Sequence, residues 1–141
     1  MEPKEELIEV KEYTADGYQP LINYESWRVA ILKYCDELLP ENITKMQKHN
    51  QTDEVFVLLE GECILFLAEG DEEIEEIHAQ DMEPLKVYNV KKSVWHTHTL
   101  SEDAVVLIVE NDDTCLDNSP EKDLNSEQQE KLVQLTAEAW N

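Results

Sequence analysis

An all-β sandwich or barrel closed by one C-terminal helix is the fold class that this 141-residue sequence predicts. Three observations predict it. Short, β-rich apolar runs recur with turn signals at intervals of about 8–12 residues, the rhythm of antiparallel sheets and not of βαβ units. The breaks between them carry turn chemistry: Asp16-Gly17, Pro40-Glu41-Asn42, Glu60-Gly61 and Gly70-Asp71. The tail from Ser126 to Trp140 has helix formers throughout, with Leu132, Leu135 and Ala139 at i, i+3, i+7 spacing. The length suits one domain with a core of its own.

Leu7 to Tyr13 alternates apolar and charged residues imperfectly and reads as a first strand. Ser26 to Cys35 is a β-rich apolar run fit for a central strand. Ile43 to Asn50 alternates again, with its polar members on one face. Val55–Leu59 and Cys63–Leu67 flank Glu60-Gly61 and predict a hairpin. Glu72 to His78, Met82 to Val90, Ser93 to Thr99 and Ala104 to Glu110 follow as strands, the last one buried. Asn111 to Pro120 is a polar connector, and Ser126 with Gln129 fits a capping box. The chain thus divides into an N-terminal strand or arm (1–25), a barrel (26–112), and a connector with an outer helix (113–141).

Charge narrows the partners. Asp and Glu number 33 against 11 Lys and Arg, a formal net charge of -22. Such a surface repels phosphate backbones and anionic lipid headgroups, so neither nucleic acid nor a membrane surface is expected. Cys35, Cys63 and Cys115 are odd in number and widely spaced, which argues against a disulfide framework or a zinc ribbon. No apolar run approaches a membrane span, and Met1 to Glu6 lacks the order of a secretory leader. A cytoplasmic location is the expectation.

Residues i and i+2 of a strand share a face, so Gln47 points with His49, and His96 with His98. If both strands line one cavity and Glu54 turns inward, two or three imidazoles meet a carboxylate there. That donor set suits Fe, Mn, Zn or Ni, with an open position for a ligand. The plainer alternative is strand-end histidines bonded to backbone carbonyls. His78, beside an acidic segment, reads as a surface residue. Ser93 lacks a nucleophile-elbow context.

Asp53 to Gly61 resembles the first motif of the cupin superfamily: HxH, three or four residues, E, six residues, G. His49, Glu54 and Gly61 match that spacing, while Gln47 stands for the first histidine and Glu41 for the leading glycine. The second motif is G, five residues, PxG, two residues, H, three residues, N. Only His96 matches it; Leu85, Lys91, Ser93 and Leu100 hold the other places. The resemblance spans roughly Trp27 to Glu110. It implies a single-domain cupin of the small bacterial kind, a double-stranded β-helix (jelly-roll barrel) with an added C-terminal α-helix.

By the same resemblance His49, Glu54 and His96 are metal ligands, and Gln47 is a weak fourth or leaves its place to water. His98 and Glu54 are the candidate acid or base groups, and no organic cofactor is expected. The ligand class is a small polar metabolite, and a homodimer is expected because apolar strands of small barrels pair across subunits. Cupins include enzymes and binding proteins, so catalysis is left open. The alternative is a metal-free binding or dimerisation module, favoured by Gln47 and the eroded second motif. A weaker third is a metal-free isomerase or lyase using Glu54 and the histidines.

Overall fold

Alternating side chains build two antiparallel sheets in the computed structural model, which describes residues 6–115 and 117–140. In chain order the strands are β1 (Tyr18–Tyr24), β2 (Trp27–Lys33), β3 (Lys45–Gln47), β4 (Glu54–Glu60), β5 (Cys63–Ala68), β6 (Ile77–Asp81), β7 (Val87–Val90), β8 (Trp95–Leu100), β9 (Val105–Asn111) and β10 (Glu121–Asp123). The helix α1 (Ser126–Ala139) follows. One sheet runs β1-β2-β9-β4-β7, the other β10-β3-β8-β5-β6. Their facing sides bury Leu32, Phe56, Leu58, Leu65, Leu100 and Ile108. Removing side chains of this size from water contributes about 1.5–3 kcal/mol each, which is what holds the sheets together.

The second sheet carries a second apolar layer outside. Ile64, Phe66, Ile77 and Trp95 pack there with Leu132 of α1. The helix buries Leu132 and Thr136, while Ala139 stays exposed. Its cap is Asn125 with Gln128, one residue before the expected box, because the Asn125 side chain accepts from the Gln128 N–H at 2.8 Å.

Four expectations on the strands are corrected. Leu7 to Tyr13 forms no strand; its charged residues leave no continuous apolar face to bury, and Leu7 is 79% exposed. The first strand is β1, which Pro20 disguised. Proline is tolerated there because β1 is an edge strand with a register shift between Pro20 and Ile22. β4 and β5 do not form a hairpin: β4 pairs with β7 and β9, β5 with β6 and β8. Glu60-Gly61 is a corner between sheets. The acidic stretch before Ile77 bends instead of pairing, and a short strand, β10, lies in the region read as unstructured before α1.

Leu85 and Ser93 have φ of 64° and 65°. These are the two places where the second motif carries glycine, so the backbone keeps the glycine conformation without the glycines. A left-handed L-residue costs roughly 1–2 kcal/mol, part of which is recovered by lower chain entropy in the unfolded state. Leu85 is 76% exposed, so little packing is at stake. Leu85→Gly is expected to stabilise by about 0.5–1 kcal/mol, read from urea midpoints; a destabilised variant would contradict this account of the turn.

Candidate metal centre

Three elements bring the site together. His49 follows β3 in an extension held on both sides, Lys48 N–H bonding Pro120 O at 3.1 Å and Ser93 N–H bonding His49 O at 2.7 Å. Glu54 opens β4 opposite Val90 and shares its inward face with Phe56 and Leu58. His96 stands on β8 between Gln47 and Leu67. All three are buried, each 6% exposed. Glu54 Oε1 lies 3.0 Å from His49 Nε2 and 3.0 Å from His96 Nε2. The three donor atoms lie within 4.8 Å of one another and can hold a metal ion.

The outer nitrogens decide what the inner ones offer. His96 Nδ1 is 3.0 Å from Val94 O, a carbonyl that only accepts, so Nδ1 carries the proton. His49 Nδ1 is 2.7 Å from Ser119 Oγ. The Ser119 hydroxyl donates to Asn118 Oδ1 at 3.0 Å, leaving Oγ to accept from His49. Asn118 is itself oriented, its oxygen accepting from Cys115 N–H and its amide donating to Asp113 O. When a ring is neutral, its Nε2 therefore aims a lone pair at a carboxylate oxygen. Three acceptors facing one another require a cation between them, a proton or a metal. Metal-ligating histidines commonly donate their second ring N–H in this way. The spacing fits as well, since donors about 2.1 Å from an ion with about 90° between bonds stand about 3 Å apart.

The charges respond accordingly. Burial pushes the Glu54 carboxyl up, but hydrogen bonds from His49 and His96 outweigh it and hold the group well below the usual carboxylate range. Burial lowers His96, and Glu54 more than reverses this, so its pKa is raised.

The triad lies on a cavity of about 560 Å³ whose wall includes Gln47, His98, Tyr18, Arg28 and Glu110. Gln47 is placed beside His96, and its amide donates to Ser119 O at 3.3 Å. His78 is remote and exposed, with 59% of its side-chain surface free. Arg28, Glu110, Tyr18 and Ser119 were not expected at the site. Arg28 and Glu110 sit opposite each other on β2 and β9, 2.7 Å apart, and Tyr18 donates to the same Glu110 oxygen at 2.5 Å. Burial first, then the neighbouring Glu54 charge, raises the Glu110 carboxyl. A signal existed: the two-residue period aligns Arg28 with the core residues Ala30 and Leu32, and Glu110 with Val106 and Ile108. A charge in register with a core face is costly unless paired.

His98 lines the same cavity against Phe56, ring centroids 5.9 Å apart. Its ring is half-buried, but Nδ1 is sealed off without a hydrogen-bond partner. Burial lowers its pKa to about 4. The unfolded chain, near the ordinary value of about 6.5, takes up the proton first as pH falls. The stability is thus complete above about pH 6.5 and lost toward pH 4. The shift corresponds to about 3 kcal/mol at most, and the open side of the ring reduces it to about 1–2 kcal/mol. In metal-free His98→Phe, urea midpoints are expected to fall less steeply between these pH values; an unchanged slope would remove His98 as the cause.

No protein-family model matches the chain, and no curated protein matches it by sequence. Solved structures do. A variant of Streptomyces PAC13 solved with uridine is similar at 12% identity and a TM-score of 0.55, over 82% of this chain and 85% of that one. The capsular polysaccharide assembling protein CapF from Staphylococcus aureus is similar at 18% identity and a TM-score of 0.55. There the match covers 82% of this chain but only 31% of CapF. Both are cupin-fold proteins, and the two-sheet barrel with its single C-terminal helix has the fold of the cupin superfamily.

Proposed function

We propose that the chain is a small-molecule-binding cupin in which His49, Glu54 and His96 hold a divalent transition metal of the Fe, Mn, Zn or Ni class. The observation that carries this reading is the pair of outer hydrogen bonds, to Val94 O and Ser119 Oγ, which hold each ring with its Nε2 turned to Glu54 and free to offer a lone pair to a metal. Two imidazoles and one carboxylate leave positions open for a ligand. A bound metal there supplies Lewis-acid polarisation of a ligand carbonyl or hydroxyl. Gln47 lies at the margin as a weak fourth donor, its amide already engaged with Ser119 O.

The rest of the wall supports a small polar metabolite as the ligand. Arg28, Tyr18 and Glu110 put hydrogen-bonding groups along one side, while Leu32 and Ile108 give apolar contact. His98, uncharged at neutral pH, is placed to accept a proton from a bound molecule. PAC13, described as a nucleoside dehydratase, and CapF serve different ends, so the shared barrel does not choose the molecule. Three free cysteines fit a reducing, cytoplasmic setting, and among the described residues no helix is long and apolar enough to cross a membrane.

Protein purified without added metal is expected to carry a stoichiometric transition metal by elemental analysis, and His49→Ala and His96→Ala to lose it. Full retention in both variants ends this reading. One observation favours a second reading, a metal-free binding module. Glu54 with a protonated His96 forms an ion pair at 3.0 Å that satisfies two of the three groups without a metal. Repeated preparations without metal would support it.

A further inference from the structure

The hydrogen-bond polarity of the cavity wall is a feature that metal binding leaves unused. Three hydroxyl groups line the cavity, those of Tyr18, Thr114 and Ser119. Each gives its hydrogen to a partner inside the protein. Tyr18 donates to Glu110 Oε1 at 2.5 Å, Thr114 to Asn111 O at 2.8 Å and Ser119 to Asn118 Oδ1 at 3.0 Å. The hydroxyl oxygens keep lone pairs and have no hydrogen left to offer. Gln47 joins them, because its Nε2 faces the carbonyl of Ser119 at 3.3 Å, which orients the amide and leaves Oε1 to accept. Arg28, the only lysine or arginine of the wall, is closed as well. Its Nη2 is held by Glu110 Oε1 at 2.7 Å and its Nη1 by Asp112 O at 3.2 Å, while Nε is buried without a partner. Neither edge of the guanidinium fork stays open for the bidentate grip that carboxylates and phosphates receive.

We propose that the cavity selects an uncharged ligand carrying several hydroxyl groups and discriminates against carboxylates and phosphates. The inference rests on the small-molecule reading above and adds the class of molecule. A polyol hydroxyl has both things the site requires, a lone pair for the metal and a hydrogen for the wall oxygens. A carboxylate or phosphate oxygen brings lone pairs only, and against Tyr18, Thr114 and Gln47 it sets acceptor against acceptor. Leaving buried polar groups unpaired is what lets a hydrogen-bonding site reject the wrong molecule. The metal accepts either kind of oxygen, so the choice lies with the wall. Charge acts in the same direction. Glu110 offsets the charge of Arg28, and the net charge of -22 repels anions from the approach. A volume of about 560 Å³ suits one small molecule of this kind.

Saturation-transfer NMR on the full chain, metal-free and with zinc added, compares D-sorbitol, myo-inositol and D-ribose with succinate and glycerol 3-phosphate. At least one of the three neutral compounds is expected to bind, and about tenfold or more tightly than either anion. Tyr18→Phe removes one wall acceptor and is expected to weaken that binding about 2–10-fold. Thr114→Val removes another, with a loss of the same size, and keeps the test open should Tyr18→Phe disturb Glu110. An anion that binds more tightly than all three neutral compounds overturns the proposal. So does a chain that binds none of the three, or binding that is indifferent to both variants. Polyol binding by a chain that takes up no zinc leaves this inference standing and ends the metal reading. Zinc held at the site with an anion preferred does the reverse.

Discussion

Gly61→Ala is expected to lower the folding stability by about 2–5 kcal/mol. Gly61 has φ of +72°, and a Cβ placed there would sit 2.6 Å from Ala104 Cα and 2.7 Å from Ala104 N. Both atoms are backbone and cannot rotate aside. The left-handed dihedral costs roughly 1–2 kcal/mol, and the overlap adds about 1–3 kcal/mol, together a large part of a total stability of about 5–15 kcal/mol. Gly17→Ala separates the two causes. Its φ of +77° is similar, but the new Cβ meets only Cys35 Sγ at 3.7 Å. Gly17→Ala should therefore cost about 1–2 kcal/mol and remain folded. Thermal melts of both variants check this, and equal losses would show that the approach to Ala104 has no part in it.

Glu54→Gln is expected to separate metal binding from stability. The amide keeps the shape of the carboxylate but removes its charge, so metal affinity should fall about 100-fold or more, beyond the loss typical of an outer-shell change. In metal-free protein the effect on folding runs the other way. An amide nitrogen has two hydrogens, and two Nε2 lone pairs stand 3.0 Å from Oε1 to receive them. A buried ion pair becomes a neutral hydrogen-bonded cluster, an exchange that is often neutral or stabilising. The low pKa of Glu54 means that its contribution is present above the ordinary carboxylate value and lost as pH falls below it. Metal-free Glu54→Gln should lack that acid-side loss and match or exceed wild type at neutral pH. Stoichiometric metal in the variant would contradict the assignment of Glu54 as a ligand.

Much of the site was legible in residue spacing. The interval from His49 through Glu54 to Gly61 reflects a strand that starts with the buried carboxylate between the two histidines and ends where only glycine fits. The second motif was less legible because Leu85 and Ser93 adopt left-handed dihedrals that residue identity does not announce. The β4–β5 connection was misread for a related reason. Two apolar strands around a glycine look alike whether they fold back in one sheet or turn a corner into another, and that choice is settled by partners far away in sequence. Arg28 and Glu110 lie 82 residues apart, so neither had a visible reason to be charged until β2 and β9 were paired.

That pair also marks alignment. The first sheet is apolar on both sides, with Ala30, Leu32, Val106 and Ile108 inward and Val29, Ile31, Leu107 and Val109 outward. Along β2 and β9 the alternation that normally tells a strand which way to face is therefore nearly silent. A one-residue slip would exchange one greasy row for another at little hydrophobic loss. It would also carry Arg28 to the outside and away from Glu110, stranding a carboxylate in the barrel. The ion pair acts as a notch on an otherwise smooth ruler, and keeps every residue of the cavity wall at its proper station.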